Sequence, residues 1–247
     1  MDAILQSEKR LGNFTSSEIH RLVTIDGRTG KWKDANALTY INEKKRERRI
    51  GRSLDNESFS KACEWGKLLE YYVFQNVLGL EYKFQSQETL THPTIDCWRG
   101  TPDALKYDGD KVISVVDLKC PFTLNSFLDF AECKTMEEIR EEHKDGEKYY
   151  WQLVSNSILT NNNSAELILF CPREEVIPNI KSFAEEYNGE LNLYWLFNAQ
   201  QEELPYIPTG RDFYKSMYKF EFEIPQTDKD FLEEKILWAS KLLGEKK

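Results

Sequence analysis

The chain has 247 residues, 40% of them hydrophobic, which suffices for one well-cored domain spanning residues 1–247, and no Gly/Ser/Pro-rich linker argues for a second unit. Its longest apolar runs, such as residues 112–116, fall far short of the ~20 residues a bilayer span needs, and the opening MDAILQSEKRLG has no export-signal pattern, so a soluble intracellular protein is expected. The formal net charge of −9 argues against a uniformly basic nucleic-acid binder, yet residues 1–53 hold 12 Lys/Arg against 7 Asp/Glu, a net of +5.

That basic front could track phosphates through Lys9, Arg10, Arg21, Arg28, Lys31, Lys33 and the run Lys44, Lys45, Arg46, Arg48 and Arg49. The same run also reads as a solvated helix face on which Glu43 and Glu47 pair with the neighbouring cations. In chain order, Thr15-Ser16-Ser17-Glu18 predicts a hydroxyl-capped helix start. Apolar residues at helical spacing predict helices over residues 35–49 and 58–78, the second ending at Gly79. Shorter segments at 88–94, 103–107 and 112–119, the last two joined by Asp108-Gly109-Asp110, predict strands and a hairpin. Helical spacing returns at 127–131, 136–142 and 148–159, then breaks at Asn161-Asn162-Asn163. Strands are expected at 166–171, 191–197 and 213–224, and an amphipathic helix at 228–243. This order predicts an α/β (α+β) fold with a central mixed sheet flanked by helices.

Five cysteines, at 63, 97, 120, 133 and 171, are odd in number and contain no CxxC pair, so they are read as reduced core thiols rather than disulfides, a zinc site or a cluster site. His20, His92 and His143 follow no ligand spacing and read as structural or surface residues. Trp65 and Trp151 sit at helical spacing and read as core rather than base-stacking platforms.

The informative stretch is Gly100-Thr-Pro-Asp103, then the hairpin, then Asp117-Leu-Lys119-Cys-Pro. Period-2 geometry puts Asp117 and Lys119 on one face of a strand while Leu118 points to the other. Asp103, on the partner strand, can join Asp117 around one hard cation, with magnesium the natural choice. Phosphodiester hydrolysis needs such a Lewis acid, an activated water and stabilisation of an anionic transition state. Asp103 and Asp117 would bind metal, and Lys119 would orient or help deprotonate the water. Glu70, one turn after Gly66, would complete the shell, with the glycine permitting close approach.

Five motifs then occur in order: Arg10-Leu-Gly-Asn-Phe-Thr15-Ser-Ser17, Gly66-Lys-Leu-Leu-Glu70, Thr101-Pro-Asp103, Asp117-Leu-Lys119-Cys-Pro-Phe-Thr123 with Phe127 and Phe130, and Tyr149-Tyr-Trp-Gln152. Across roughly residues 10–160 the chain resembles the lambda-type exonucleases, or YqaJ-like viral recombinases, of the PD-(D/E)xK nuclease superfamily. The resemblance implies a restriction-endonuclease-like core and a two-metal exonuclease, using Mg2+ or Mn2+, that degrades one strand of duplex DNA from its 5′ end. It further implies a homotrimer threading the DNA, a single-strand annealing partner, and the cytoplasm of a bacterial or phage-infected cell. By the same likeness, Arg10 and Ser17 hold the 5′ phosphate, Tyr149 and Gln152 line the active site, and the Leu118 main-chain carbonyl joins Glu70, Asp103 and Asp117 at the metal. Asp117 stands where many members have Glu, and Val154 where a second Gln is common, so that contact is not carried over. The rival readings are another nuclease on the same core and an inactive DNA-binding module, which intact Glu70, Asp103, Asp117 and Lys119 disfavour.

Overall fold

The computed structural model describes residues 10–26, 28–54, 60–85 and 88–244. The N-terminal elements are strand β1 (Phe14–Thr15), a 3-10 turn at Ser16–Glu18, and helices α1 (His20–Val23), α2 (Asp34–Ile50) and α3 (Lys61–Asn76). Next come strands β2 (Tyr82–Phe84), β3 (Leu90–Thr91), β4 (Trp98–Gly100), β5 (Ala104–Asp108) and β6 (Lys111–Lys119). Helices α4 (Leu124–Ala131), α5 (Met136–Glu142) and α6 (Gly146–Leu159) then cross over to β7 (Ser164–Phe170). Helices α7 (Ile177–Glu186) and α8 (Tyr194–Asn198), strand β8 (Met217–Glu223) and helix α9 (Gln226–Gly244) complete the order.

The main sheet runs β2-β5-β6-β7-β8 and is mixed: β6 and β7 are parallel, the other pairs antiparallel. The parallel pair follows from its connection, because parallel neighbours need a long crossover and α4, α5 and α6 supply one. A smaller sheet, β1-β4-β3, joins the N-terminal segment to the loop region before β5. Both faces of the main sheet are covered, and the strands alternate between two cores. Val115, Leu167 and Leu169 pack with Leu153, Val154, Phe127 and Leu232 on one side. Val116, Leu118, Ile168 and Phe170 pack with Trp65, Leu68, Leu69 and Ile180 on the other. Among the described residues no helix is long and apolar enough to cross a membrane.

Several expectations shift. Residues 191–197 do not form a strand; α8 takes their place because Leu193 and Leu196, three apart, are buried while Tyr194 and Phe197 are exposed, a helical rather than alternating pattern. The sequence pattern predicts no element at residues 177–186, where helix α7 forms with a proline in its first turn. The expected strands at 88–94 and 213–224 shrink to β3 and β8, and the expected start of α3 at residue 58 lies outside the described residues. Thr15 does not cap the following turn through its side chain; its hydroxyl lies 3.3 Å from Ser17 Oγ. Cys97, Cys120, Cys133 and Cys171 are buried, but Cys63 is exposed and is no core thiol. Trp65 and Trp151 are both core. His92 stacks on Trp98 and His143 on Phe130.

Candidate active site

The Asp117-Leu118-Lys119 alternation plays out at the end of β6. Leu118 is fully buried against α3, while the Asp117 carboxylate and the Lys119 ammonium meet at 2.6 Å on the opposite side. Asp103 lies one residue before β5, where Ala104 pairs with Val116, so the hairpin register carries it to the Asp117 end of β6. Its Oδ2 accepts a 2.8 Å hydrogen bond from the Leu118 N–H and lies 3.9 Å from Lys119 Nζ.

From the other direction, α6 presents Tyr149 and Gln152, three residues apart and therefore on one helical face. Gln152 Nε2 donates to Asp117 Oδ1 at 2.6 Å, and the Tyr149 ring centroid lies 5.1 Å from Lys119 Nζ. Phe130 and His143 stack beside Tyr149 and hold its ring plane. Val154, two positions past Gln152, is buried in the core. Glu70 reaches the group from α3 and, among the described residues, feels the others through charge rather than a direct hydrogen bond.

The electrostatics are those of too many carboxylates in too little water. Burial first, then the charge of Asp117, outweigh Lys119 and Lys67 and push the Glu70 carboxyl up to about 7. Burial, then Asp117 and Glu70, hold Asp103 well above the usual carboxylate range, against the opposing pull of Lys119 and the Leu118 N–H. Burial alone would lower the Lys119 pKa, but Asp117 and Asp103 outweigh it and hold the ammonium above the ordinary lysine range. Asp117 and Asp103 thus keep Lys119 a cation in the metal-free site.

Among the described residues no three His, Cys, Asp or Glu side chains stand close enough to form a ready-made metal cage. The donor chemistry nonetheless suits a hard divalent ion: three carboxylates crowd one another, and the buried Asp117 Oδ2 has the Lys119 ammonium at 2.6 Å as its near cation.

The Arg10 and Ser17 pair also comes together, with Arg10 Nη2 donating to Ser17 Oγ at 3.2 Å on the surface. This segment rests on α6, the helix that carries Gln152, through a 2.8 Å contact between Ser16 Oγ and Ser155 Oγ. The loop behind Arg10 is fixed by a contact that sequence reasoning missed. Glu47 of α2, fully buried and paired with Lys44 at 3.0 Å, accepts the Gly12 N–H at 3.0 Å. Arg48 Nε donates to the Gly12 carbonyl at 2.7 Å. Gly12 has φ +64°, and an added Cβ would lie 2.4 Å from Arg48 Cγ, so only glycine fits. The signal available in sequence was the Lys44-x-x-Glu47 spacing after a glycine-containing loop.

Two glycines of the motifs behave differently. An added Cβ at Gly66 would lie 4.0 Å from the Cys120 carbonyl oxygen, an ordinary contact, so close approach to the sheet does not require that glycine. At Gly100 it would lie 2.1 Å from Ser16 Oγ, 2.5 Å from Leu159 Cδ1 and 2.6 Å from Asn156 Oδ1. Gly100→Ala should therefore wedge β4 away from α6 and cost about 1–3 kcal/mol in urea unfolding; a cost below ~0.5 kcal/mol would show that the packing yields.

The YqaJ-like viral recombinase domain matches residues 7–163 of the chain. A search of curated proteins gave no match. Among solved structures, the chain is similar to an alkaline exonuclease, LHK-Exo, from Laribacter hongkongensis, with 15% identity, coverage of 95% of this chain and 89% of that one, and a TM-score of 0.56. LHK-Exo in complex with dAMP gives 15% identity, 96% and 90% coverage and a TM-score of 0.54. A phage-related exonuclease from Haemophilus somnus 129PT gives 15% identity, 94% and 93% coverage and a TM-score of 0.56. At this identity the likeness establishes a shared fold.

Proposed function

Because the chain belongs to the YqaJ-like viral recombinase family, we propose that it is a metal-dependent exonuclease that degrades linear duplex DNA from the 5′ end and leaves 3′ single strands for recombination. The observation that carries this reading is the convergence of Asp103, Asp117, Lys119 and Gln152 where β6 ends. Two of the structurally similar proteins, an alkaline exonuclease and a phage-related exonuclease, agree with it. Residues 1–247 are read as one domain, since β7 and β8 of the C-terminal part extend the sheet that bears the site.

In this reading Glu70, Asp103, Asp117 and the Leu118 carbonyl hold Mg2+ or Mn2+, two ions per site by family likeness. When bound, such ions supply Lewis-acid charge neutralisation and an activated water. The chain's own groups do the rest. Gln152 pins the Asp117 carboxylate in place by its 2.6 Å donation, so that carboxylate is oriented before substrate arrives. Lys119, a fixed ammonium, stabilises the extra negative charge of the pentavalent phosphate. Tyr149 backs the ammonium with its ring face and, held by Phe130 and His143, limits its freedom. Arg10 and Ser17 grip the terminal 5′ phosphate, which sets the starting end. The proposal extends to a homotrimer around the DNA and to a single-strand annealing partner, and the mass of the protein in solution tests the former.

The direct test is digestion of linear duplex with and without 5′ phosphate, in magnesium or chelator. Magnesium-dependent loss of the 5′-phosphorylated strand is expected; digestion in chelator defeats the reading. Arg10→Ala should reduce the preference for phosphorylated ends by roughly tenfold or more, since a charge-assisted hydrogen bond contributes ~1.5–3 kcal/mol. An unchanged preference removes Arg10 from the site.

A further inference from the structure

The structure sorts the basic N-terminal run into cations that are spent inside the protein and cations that are not. Lys44 is buried against Glu47, Arg48 is bound to Gly12 and Asn13, and Arg21 pairs with Glu43 at 2.7 Å. Lys45, Arg46 and Arg49 have no ion-pair or hydrogen-bond partner among the described residues. With Asn42 they line a surface recess of about 250 Å³. Positions 42, 45, 46 and 49 are spaced i, i+3, i+4 and i+7, so they form one continuous stripe of α2. Among the described residues no carboxylate lines that recess, although the protein carries 42 Asp and Glu.

Three unpaired cations held side by side repel one another, and an acidic chain has carboxylates to spare for pairing them. Their shared vacancy fits a polyanion supplied from outside. The same helix anchors the Arg10 loop: Glu47 and Arg48, flanked in sequence by Arg46 and Arg49, bind Gly12 on both its N–H and its carbonyl. A ligand on the stripe and a phosphate on Arg10 would thus be registered by one rigid element.

We infer that Asn42, Lys45, Arg46 and Arg49 form a contact site for the phosphodiester backbone of the duplex body, separate from the cleavage centre and tied through α2 to the end-gripping loop. The inference rests on the exonuclease reading above. Such contacts carry affinity without sequence preference, and each cation neutralising a phosphate steepens the salt dependence of binding by about 0.9.

The test is fluorescence anisotropy of a 5′-phosphorylated 30-base-pair duplex over 50–250 mM KCl in chelator, with steady-state digestion in magnesium. The triple variant Lys45→Gln, Arg46→Gln, Arg49→Gln should lower the salt slope by about 2–3 and weaken binding at least about tenfold at 100 mM salt. It should raise KM while leaving kcat unchanged. A control triple on other exposed lysines, Lys111→Gln, Lys134→Gln, Lys241→Gln, should do neither. Unchanged affinity in the first triple, or an equal loss in the control, overturns the site while wild-type digestion leaves the exonuclease reading standing. Failure of the wild type to bind or cut duplex overturns both.

Discussion

Lys119→Ala is expected to slow hydrolysis of linear duplex DNA by roughly 10²–10³-fold, the usual cost of losing one preorganised charge at a transition state. The ammonium stands 2.6 Å from Asp117 and 3.9 Å from Asp103 and is held protonated by both, so the variant loses a fixed positive charge rather than a base. Its removal also leaves Asp117, which is fully buried, without its near cation, a defect that destabilises by roughly 3–5 kcal/mol when nothing compensates. The two effects separate in the double variant Asp117→Asn, Lys119→Ala, which should recover much of the stability and none of the activity. Urea unfolding and strand-release kinetics on the same samples check this. Near-wild-type turnover in folded Lys119→Ala would dismiss the ammonium from catalysis.

The metal-free protein should lose stability as pH rises from 5 to 8, by up to about 3 kcal/mol if Glu70 acts alone. Its carboxyl sits at about 7 in the fold against an ordinary 4.5, so the fold prefers the neutral acid. The stability this contributes is complete below the ordinary value and drains away as Glu70 ionises through pH 7. Asp103, raised by burial and by Asp117, acts in the same direction. Glu70→Gln should flatten the profile and raise stability at pH 8. Magnesium should reverse the trend in the wild type, because it binds only ionised carboxylates and its affinity therefore rises through the same pH range. Unfolding in chelator and titration calorimetry at pH 6 and 8 measure both. A wild-type profile that rises with pH in chelator, or matches that of Glu70→Gln, would show that Glu70 is not the strained acid.

Much of this site was legible in the chain because local geometry carries it. A strand alternates, so Asp117 and Lys119 had to share a face and Leu118 had to oppose them. A tight turn at Asp108-Gly109-Asp110 had to return the chain beside itself, which brought Asp103 to Asp117. A helix repeats near three and four residues, so Tyr149 and Gln152 had to point together. Misreadings came where the pattern was short or two-sided. Residues 191–197 mix apolar and polar groups in a run that fits either period, and packing of Leu193 and Leu196 against α3 and α7 decided for a helix.

What the sequence determined by itself was therefore the inventory and the local facing of the chemistry: the acids, the lysine, the strand that pairs two of them, and the family to which those motifs belong. Everything set by contacts distant along the chain came from the folded packing instead. These include the approach of Glu70 from α3, the Gln152 donation to Asp117, the burial that raises two carboxyls, and the division of the basic run into cations paired within the protein and cations without a partner among the described residues. The physical reason is that facing follows from backbone periodicity, whereas burial and pairing depend on which surfaces the whole chain brings together.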